Sequence, residues 1–217
     1  MTKTLLNIFQ RLQSAYGAMH KWWSESKDEI IIGAILTQNT NWNNVEKALA
    51  NLRSQALLSL IALSQTKAEA LAELIRPSGY HNHKSQRLID VSTAIITYDH
   101  SLEMSVFRDF LLSLKGIGPE TADSILLYAY RLPIFVIDAY TIRIFSRLGF
   151  CSETVTYHAL QAWFEQYLQR DYALYSEYHA LLIQHAKTSC RKRPLCLLCP
   201  LNDICYYYQT TINEQQE

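Results

Sequence analysis

Charge of one sign is absent as a signal. The 20 Lys and Arg residues are offset by 20 Asp and Glu, leaving a formal net charge of zero and a pI near 7.0. A neutral chain offers a polyanion no global field, so a nucleic-acid partner has to be held by local positive charge and backbone donors. Long hydrophobic runs are absent too. None approaches the roughly 20 apolar residues that span a bilayer. The opening Met1-Thr2-Lys3-Thr4-Leu5 has too short an apolar stretch for a secretory signal. The expectation is therefore a cytoplasmic protein with no membrane association. Apolar and polar residues nowhere alternate convincingly, which argues against strands, and no repeat or low-complexity segment stands out.

What is present is helical periodicity in a chain that is 49% apolar, and 217 residues suffice for one large domain or two small ones. The period predicts helices over residues 5–16, 28–38, 55–63, 67–75, 84–97, 104–114, 119–130, 156–168 and 172–187, others beginning after Trp42 and Asp138. The helix over residues 28–38 carries Ile30, Ile31, Ile32, Ala34, Ile35 and Leu36 with almost no polar face, as expected at the centre of a core. It ends in the polar cluster Thr37-Gln38-Asn39-Thr40-Asn41. The expected fold is all-α with its termini packed together. Residues 1–27 and 131–217 would form one lobe, and residues 28–130 a second that contains a helical hairpin over 104–130.

That hairpin turns on Leu114-Lys115-Gly116-Ile117-Gly118-Pro119-Glu120. Pro119 suits the first position of a helix, because its missing N–H would be unpaired there anyway. Glycines before it allow a tight turn whose amides stay uncovered, a site for an anion such as a nucleic-acid phosphate. An ordinary helix–turn–helix hairpin explains the glycines equally well. Asp138 follows the apolar Ile134-Phe135-Val136-Ile137 and precedes a helical pattern, so it reads as an N-cap. A carboxylate kept ionised there can also stabilise an oxocarbenium-like transition state and orient a water.

Four of the five cysteines, Cys190, Cys196, Cys199 and Cys205, fall within sixteen residues in the spacing C-x5-C-x2-C-x5-C. In a reducing compartment such clustering favours a metal centre over disulfides. Zinc and a cubane iron–sulfur cluster both fit, although a zinc ribbon usually has two C-x2-C knuckles and only one is present.

Lys115-Gly116-Ile117-Gly118-Pro119-Glu120-Thr121-Ala122, with Asp138 in Val-Ile-Asp-Ala-Tyr eighteen residues after Glu120, closely resembles the helix–hairpin–helix DNA glycosylases of the endonuclease III superfamily. Ile35-Leu36-Thr37-Gln38-Asn39-Thr40 is similar to the segment after that family's central helix. The stretch from Ser78 to Ser85 is similar to its Gly-aromatic-x-Asn-x-Lys turn. The cysteines match its iron–sulfur loop, with one residue fewer between the first two. Together these cover residues 30–205 in the family's order.

The resemblance implies a base excision repair enzyme that acts as a monomer on double-stranded DNA containing a damaged base, in the bacterial cytoplasm and on the nucleoid. Carried over residue by residue, Asp138 is the catalytic carboxylate, Gly116 and Gly118 bind a phosphate, and Gln38 fills the gap left by an extruded nucleotide. Lys84 becomes a phosphate contact, with an exposed surface lysine as the alternative. The four cysteines hold a 4Fe-4S cluster, with zinc as the alternative, and Arg191, Lys192 and Arg193 on its loop reach DNA phosphates. Cys151 lies outside the motif.

One departure bears on the reaction. Bifunctional members, which also act as lyases, carry a lysine here whose amine attacks the sugar and forms a Schiff base; this chain has Glu120, and a carboxylate forms no imine. The expectation is a monofunctional glycosylase without lyase activity. Trp22, Trp23 and Trp42 lie near the ends of the central helix and are expected, with Glu120, to form a pocket for an extruded base, core packing being the alternative. Tryptophan faces attract a cationic alkylated purine such as 3-methyladenine. Trp-Trp before the helix, the Thr-Gln-Asn-Thr segment and Gly-Ile-Gly-x-Glu resemble the bacterial 3-methyladenine glycosylases of this superfamily. The rivals are an endonuclease III-like enzyme for oxidised pyrimidines or mismatched bases, and a non-catalytic DNA-binding module.

Overall fold

Residues 30–36 are all buried, and they make α2 (Lys27–Leu36) the centre of its unit. Full burial of one such Ile or Leu is worth about 1.5–3 kcal/mol. The helix starts where Ser26 Oγ accepts the amide of Glu29, and its acidic first turn reaches outward: Asp28 Oδ2 accepts the Leu60 amide at 3.0 Å and Glu29 pairs with Arg53 at 2.7 Å. The structure is a computed structural model and describes residues 1–19, 24, 26–99 and 103–212. Among them the regular structure is helical, with no strand.

The chain divides into two units, Trp23–Arg131 and the pair of segments Met1–Trp22 and Leu132–Glu217. In the first, α2 packs against α3 (Trp42–Ser54), α6 (His81–Thr97), α8 (Pro119–Ser124) and a π-helical turn at Ile125–Ala129. The short α4 (Leu60–Ser64) and α5 (Ala68–Leu74) lie on α6. α7 (Met104–Ser113) and α8 are the arms of the hairpin. Arg108 of α7 clamps the fully buried Asp123 of α8 in a fork, at 2.7 and 3.0 Å.

The second unit contains α1 (Thr2–Tyr16), α9 (Ala139–Arg147), α10 (Tyr157–Tyr167) and α11 (Tyr172–Thr188). Its core is aromatic. Phe135 stacks on Phe164 at 4.0 Å and meets Tyr175 and Tyr178 edge-on, while Tyr178 Oη donates to the Leu5 carbonyl at 2.9 Å. The extended segment before α9 is fastened to α10 through both main-chain groups of Phe135. Its N–H donates to Glu165 (3.0 Å) and its carbonyl accepts from Gln161 (2.8 Å).

Several boundaries differ from those read in the sequence, and three of the differences have a local cause. The helix expected from residue 55 begins at Leu60, because Ala56 takes a left-handed turn (φ 55) after α3. α6 begins at His81, because the turn closes at Tyr80 (φ 47) and the next three residues already belong to the helix. The helix expected over 119–130 widens into the π turn at Ile125.

Candidate functional site

The hairpin turn is built by two main-chain bonds. The Ile117 amide donates to Leu114 O (3.0 Å) and the Ala122 amide to Gly118 O (2.9 Å), with the Ile117 side chain buried as an anchor. Gly116 sits at φ 85, the left-handed region that glycine enters without strain. Gly116 and Gly118 are exposed, and their amides have no acceptor among the described residues. The Arg87 guanidinium, from α6, lies where a Cβ on Gly116 would stand.

Gln38 joins these parts. Its Nε2 donates to the Gly116 carbonyl at 3.1 Å and to Thr121 Oγ1 at 2.9 Å, and its Oε1 accepts from Arg87. The residue expected to fill a gap in DNA is thus tied to the glycine turn expected to bind a phosphate, within one unit.

Lys84 requires a correction. It is 2% exposed, and its Nζ donates to Leu36 O and Ser78 O, both at 2.8 Å. The ammonium joins the end of α2 to the 76–80 turn and is neither a phosphate contact nor a surface lysine. Burial, followed by the neighbouring Arg87 charge, pushes its pKa down to about 8.

Of the expected base pocket, Trp22 and Trp23 lie outside the described residues. Trp42 is half-buried and donates its indole N–H to Glu46 of its own helix at 3.0 Å. Glu120 is exposed in the first turn of α8.

Asp138 caps α9. Its Oδ1 accepts both the amide (2.7 Å) and the hydroxyl (2.8 Å) of Thr141, and Oδ2 stands 3.7 Å from Nε2 of the buried His179. The side chain is only 11% exposed. Burial opposes its ionisation, but His179 and the two Thr141 donors outweigh it and hold the carboxyl below its usual range. The result is a nearly buried carboxylate kept charged.

The cysteine loop closes the chain beyond α11. Cys190, Cys196, Cys199 and Cys205 are free thiols that line one small cavity together with Ile144, Arg147, Leu148 and His185. Arg147 donates to Cys190 Sγ at 3.3 Å and to the carbonyls of Arg191 and Lys192, and Arg143 donates to Cys190 O at 3.0 Å. His185 Nε2 lies 3.8 Å from Cys199 Sγ. Burial, together with the adjacent thiolates, pushes Cys199 up to about 11, so four thiolates need a cationic group to share them. Among the described residues no three His, Cys, Asp or Glu side chains converge on a single-ion site. Arg191, Lys192 and Arg193 are exposed, and Arg191 Nε bonds back to the carbonyls of Lys187 and Thr188 at 3.1 Å.

Reading the sequence missed Arg87, Arg108, Arg147 and His179. Each meets its partner across at least fifteen residues of chain, so no local spacing marks them. Arg87, one turn beyond Lys84 on α6, had the nearest thing to a signal.

Residues 32–170 match the family model described as the HhH-GPD superfamily base excision DNA repair protein. MJ1434 of Methanocaldococcus jannaschii, provisionally named a DNA repair glycosylase, is 43% identical over 209 residues, covering 93% of this chain and 95% of that protein. Endonuclease III of Sulfolobus acidocaldarius is 30% identical over 186 residues, 84% of this chain and 82% of that protein. The H. pylori 3-methyladenine DNA glycosylase MagIII, solved with 1,N6-ethenoadenine, superposes with a TM-score of 0.73 at 30% identity, covering 84% of this chain and 97% of that one. An endonuclease III–DNA complex superposes with a TM-score of 0.83 over 100% of this chain and 99% of that one, at 19% identity, a likeness of fold alone. Among the described residues no helix is long and apolar enough to cross a membrane.

Proposed function

Because this chain belongs to the HhH-GPD superfamily of base excision DNA repair proteins and is a DNA glycosylase of that family, we propose that it is a monofunctional enzyme for alkylated purines of the 3-methyladenine kind. The observation that carries the reaction type is Glu120, an exposed carboxylate in the first turn of α8 where lyase chemistry needs an amine. Asp138 supplies the remaining chemistry. Held ionised by Thr141 and His179, it stabilises positive charge developing on the sugar as the glycosidic bond breaks, and it orients the water that completes hydrolysis. A cationic alkylated base is already a good leaving group, so one carboxylate suffices.

The hairpin amides of Gly116 and Gly118 hold the DNA backbone, and Arg191, Lys192 and Arg193 add the local positive charge that the neutral chain lacks. Cys190, Cys196, Cys199 and Cys205 hold a 4Fe-4S cluster, which when bound organises the loop that carries those basic residues. The substrate class is supported by the 30% identity to the H. pylori 3-methyladenine enzyme and by the exposed Glu120 carboxylate, which would attract a cationic base.

A second reading, a glycosylase for oxidised pyrimidines, is favoured by the equal identity to the Sulfolobus acidocaldarius endonuclease III. Release of 3-methyladenine from methylated DNA, measured beside excision from duplexes carrying oxidised thymine, separates them. Release of the pyrimidine alone would overturn the first reading.

A further inference from the structure

Gly116 is a glycine and so intrinsically loose, yet the direction of the turn's free amides depends on it. Something must hold its peptide. The Gly116 carbonyl and the Ile117 N–H belong to one planar unit. The N–H side is tied to Leu114 O at 3.0 Å and the carbonyl side to Gln38 Nε2 at 3.1 Å. The plane is therefore gripped at both edges, and the amides on either side of it belong to the exposed Gly116 and Gly118 and have no acceptor among the described residues.

The grip depends on which way round the Gln38 amide stands. An amide can turn over and exchange its oxygen for its NH2. With Oε1 toward Gly116 O, two acceptors would oppose each other and the hairpin would be released. Arg87 decides the matter, because a guanidinium only donates. Its Nη1 donates to Oε1, which obliges the Gln38 amide nitrogen to face Gly116 O and Thr121 Oγ1. The same guanidinium lies against the bare Cα of Gly116, so the glycine is required for contact as well as for its φ of 85. One donor-only group at the head of the relay thus sets the polarity of every bond after it.

We propose that Arg87 is a positioning residue for DNA binding, acting through Gln38 to fix the Gly116–Ile117 peptide and so to aim the Gly116 and Gly118 amides at a backbone phosphate. Gln38 then serves the hairpin before any nucleotide is extruded. Preorganisation of this kind raises affinity by removing an ordering cost from binding. The inference rests on the hairpin being the phosphate anchor of the proposed enzyme, but not on which base that enzyme removes.

The chain has only six glycines, so glycine-selective 15N labelling gives a short, assignable amide spectrum. In the free protein, Arg87→Met and Gln38→Met are each expected to move the Gly116 resonance, and the double variant to move it no further. With an undamaged duplex each variant weakens binding about tenfold. The double variant is expected to lose the same tenfold and not a hundredfold, with the slope of log K against log salt unchanged. Arg87→Lys, which keeps the charge but not the fork, is expected to behave as Arg87→Met. A salt slope shallower by about one, with the Gly116 resonance unmoved, would make Arg87 itself the phosphate contact and overturn the relay. Additive losses, or rescue by lysine, would overturn it as well. Intact shifts in a protein that releases no damaged base would instead count against the glycosylase reading.

Discussion

Oδ2 of Asp138 faces Nε2 of His179 at 3.7 Å, while Oδ1 is taken up by the two donors of Thr141. The two oxygens therefore differ: one caps α9, and the other meets a group that becomes cationic on protonation. Because His179 and Thr141 hold the carboxyl below its usual range, Asp138 keeps its charge as the pH falls toward the ordinary carboxylate value. Replacing His179 with Gln removes one of those causes and raises the Asp138 pKa. The acid limb of the pH profile of base release is expected to move to higher pH in His179→Gln, with the neutral rate less affected. Asp138→Asn is expected to lose base release by about 10³-fold while retaining duplex affinity. An unmoved acid limb in His179→Gln would show that the pair is only structural.

Glu120 leaves the first turn of α8 without an amine. Borohydride trapping with damaged duplex is expected to yield no covalent adduct from the wild type, and the abasic product strand to stay intact until treated with alkali. Glu120→Lys places an amine at that turn and is expected to give a trappable adduct. An efficient wild-type adduct would mean that another amine of this chain performs lyase chemistry.

Lys84 holds two carbonyls from inside the protein. Lys84→Met is expected to cost about 1–3 kcal/mol in denaturant titrations, since it strands buried acceptors. The salt slope of DNA binding should be unchanged, in contrast to the loss of about one unit for a true phosphate contact. Its folded pKa of about 8 lies below the unfolded value of 10.5, so between them the unfolded chain binds the extra proton. Wild-type stability therefore gains a contribution as the pH rises from about 8 toward 10.5, and Lys84→Met should lack it.

Lys84 also shows what a linear sequence hides. The central helix was legible because a run such as Ile30-Ile31-Ile32 has only one place to go, and its burial follows from composition. The hairpin, the capping aspartate and the cysteine spacing were legible because each is a local pattern with a local cause. The partners of Lys84, Arg87 and Arg108 were not. A long basic side chain is read by default as exposed, and its bonds here go to Leu36, Gln38 and Asp123, which come together only after folding. The shift of the α6 start from residue 84 to His81 has the same origin, because a left-handed Tyr80 is not marked by its residue type.

The Arg108–Asp123 fork ties the two arms of the hairpin together. Asp123 is fully buried, so Arg108→Met leaves a carboxylate inside the fold without its guanidinium. Breaking one side of such a pair costs about 3–5 kcal/mol. The midpoint of urea unfolding is expected to fall accordingly, and Arg108→Met combined with Asp123→Leu should recover much of the loss by removing both charges. If the double variant is no more stable than the single, the fork matters for shape and not for charge balance.

The cysteine cavity makes the last prediction. Cys199 is pushed up to about 11 by burial and its neighbouring thiolates, so thiolates here are stable only against a cationic group. Purified without oxygen, the protein is expected to be brown with broad visible absorption and to contain four iron atoms per chain, a stoichiometry set by the four cysteines. Cys199→Ser should lose the colour. Chelation of the metal should loosen the loop that carries Arg191, Lys192 and Arg193, seen as faster proteolysis after Arg191 or Lys192 and as a weaker salt dependence of duplex binding. A colourless protein with one zinc per chain would exclude the cluster. The loop would then have to draw its thiols inward, because the described cavity brings no three of them onto a single ion.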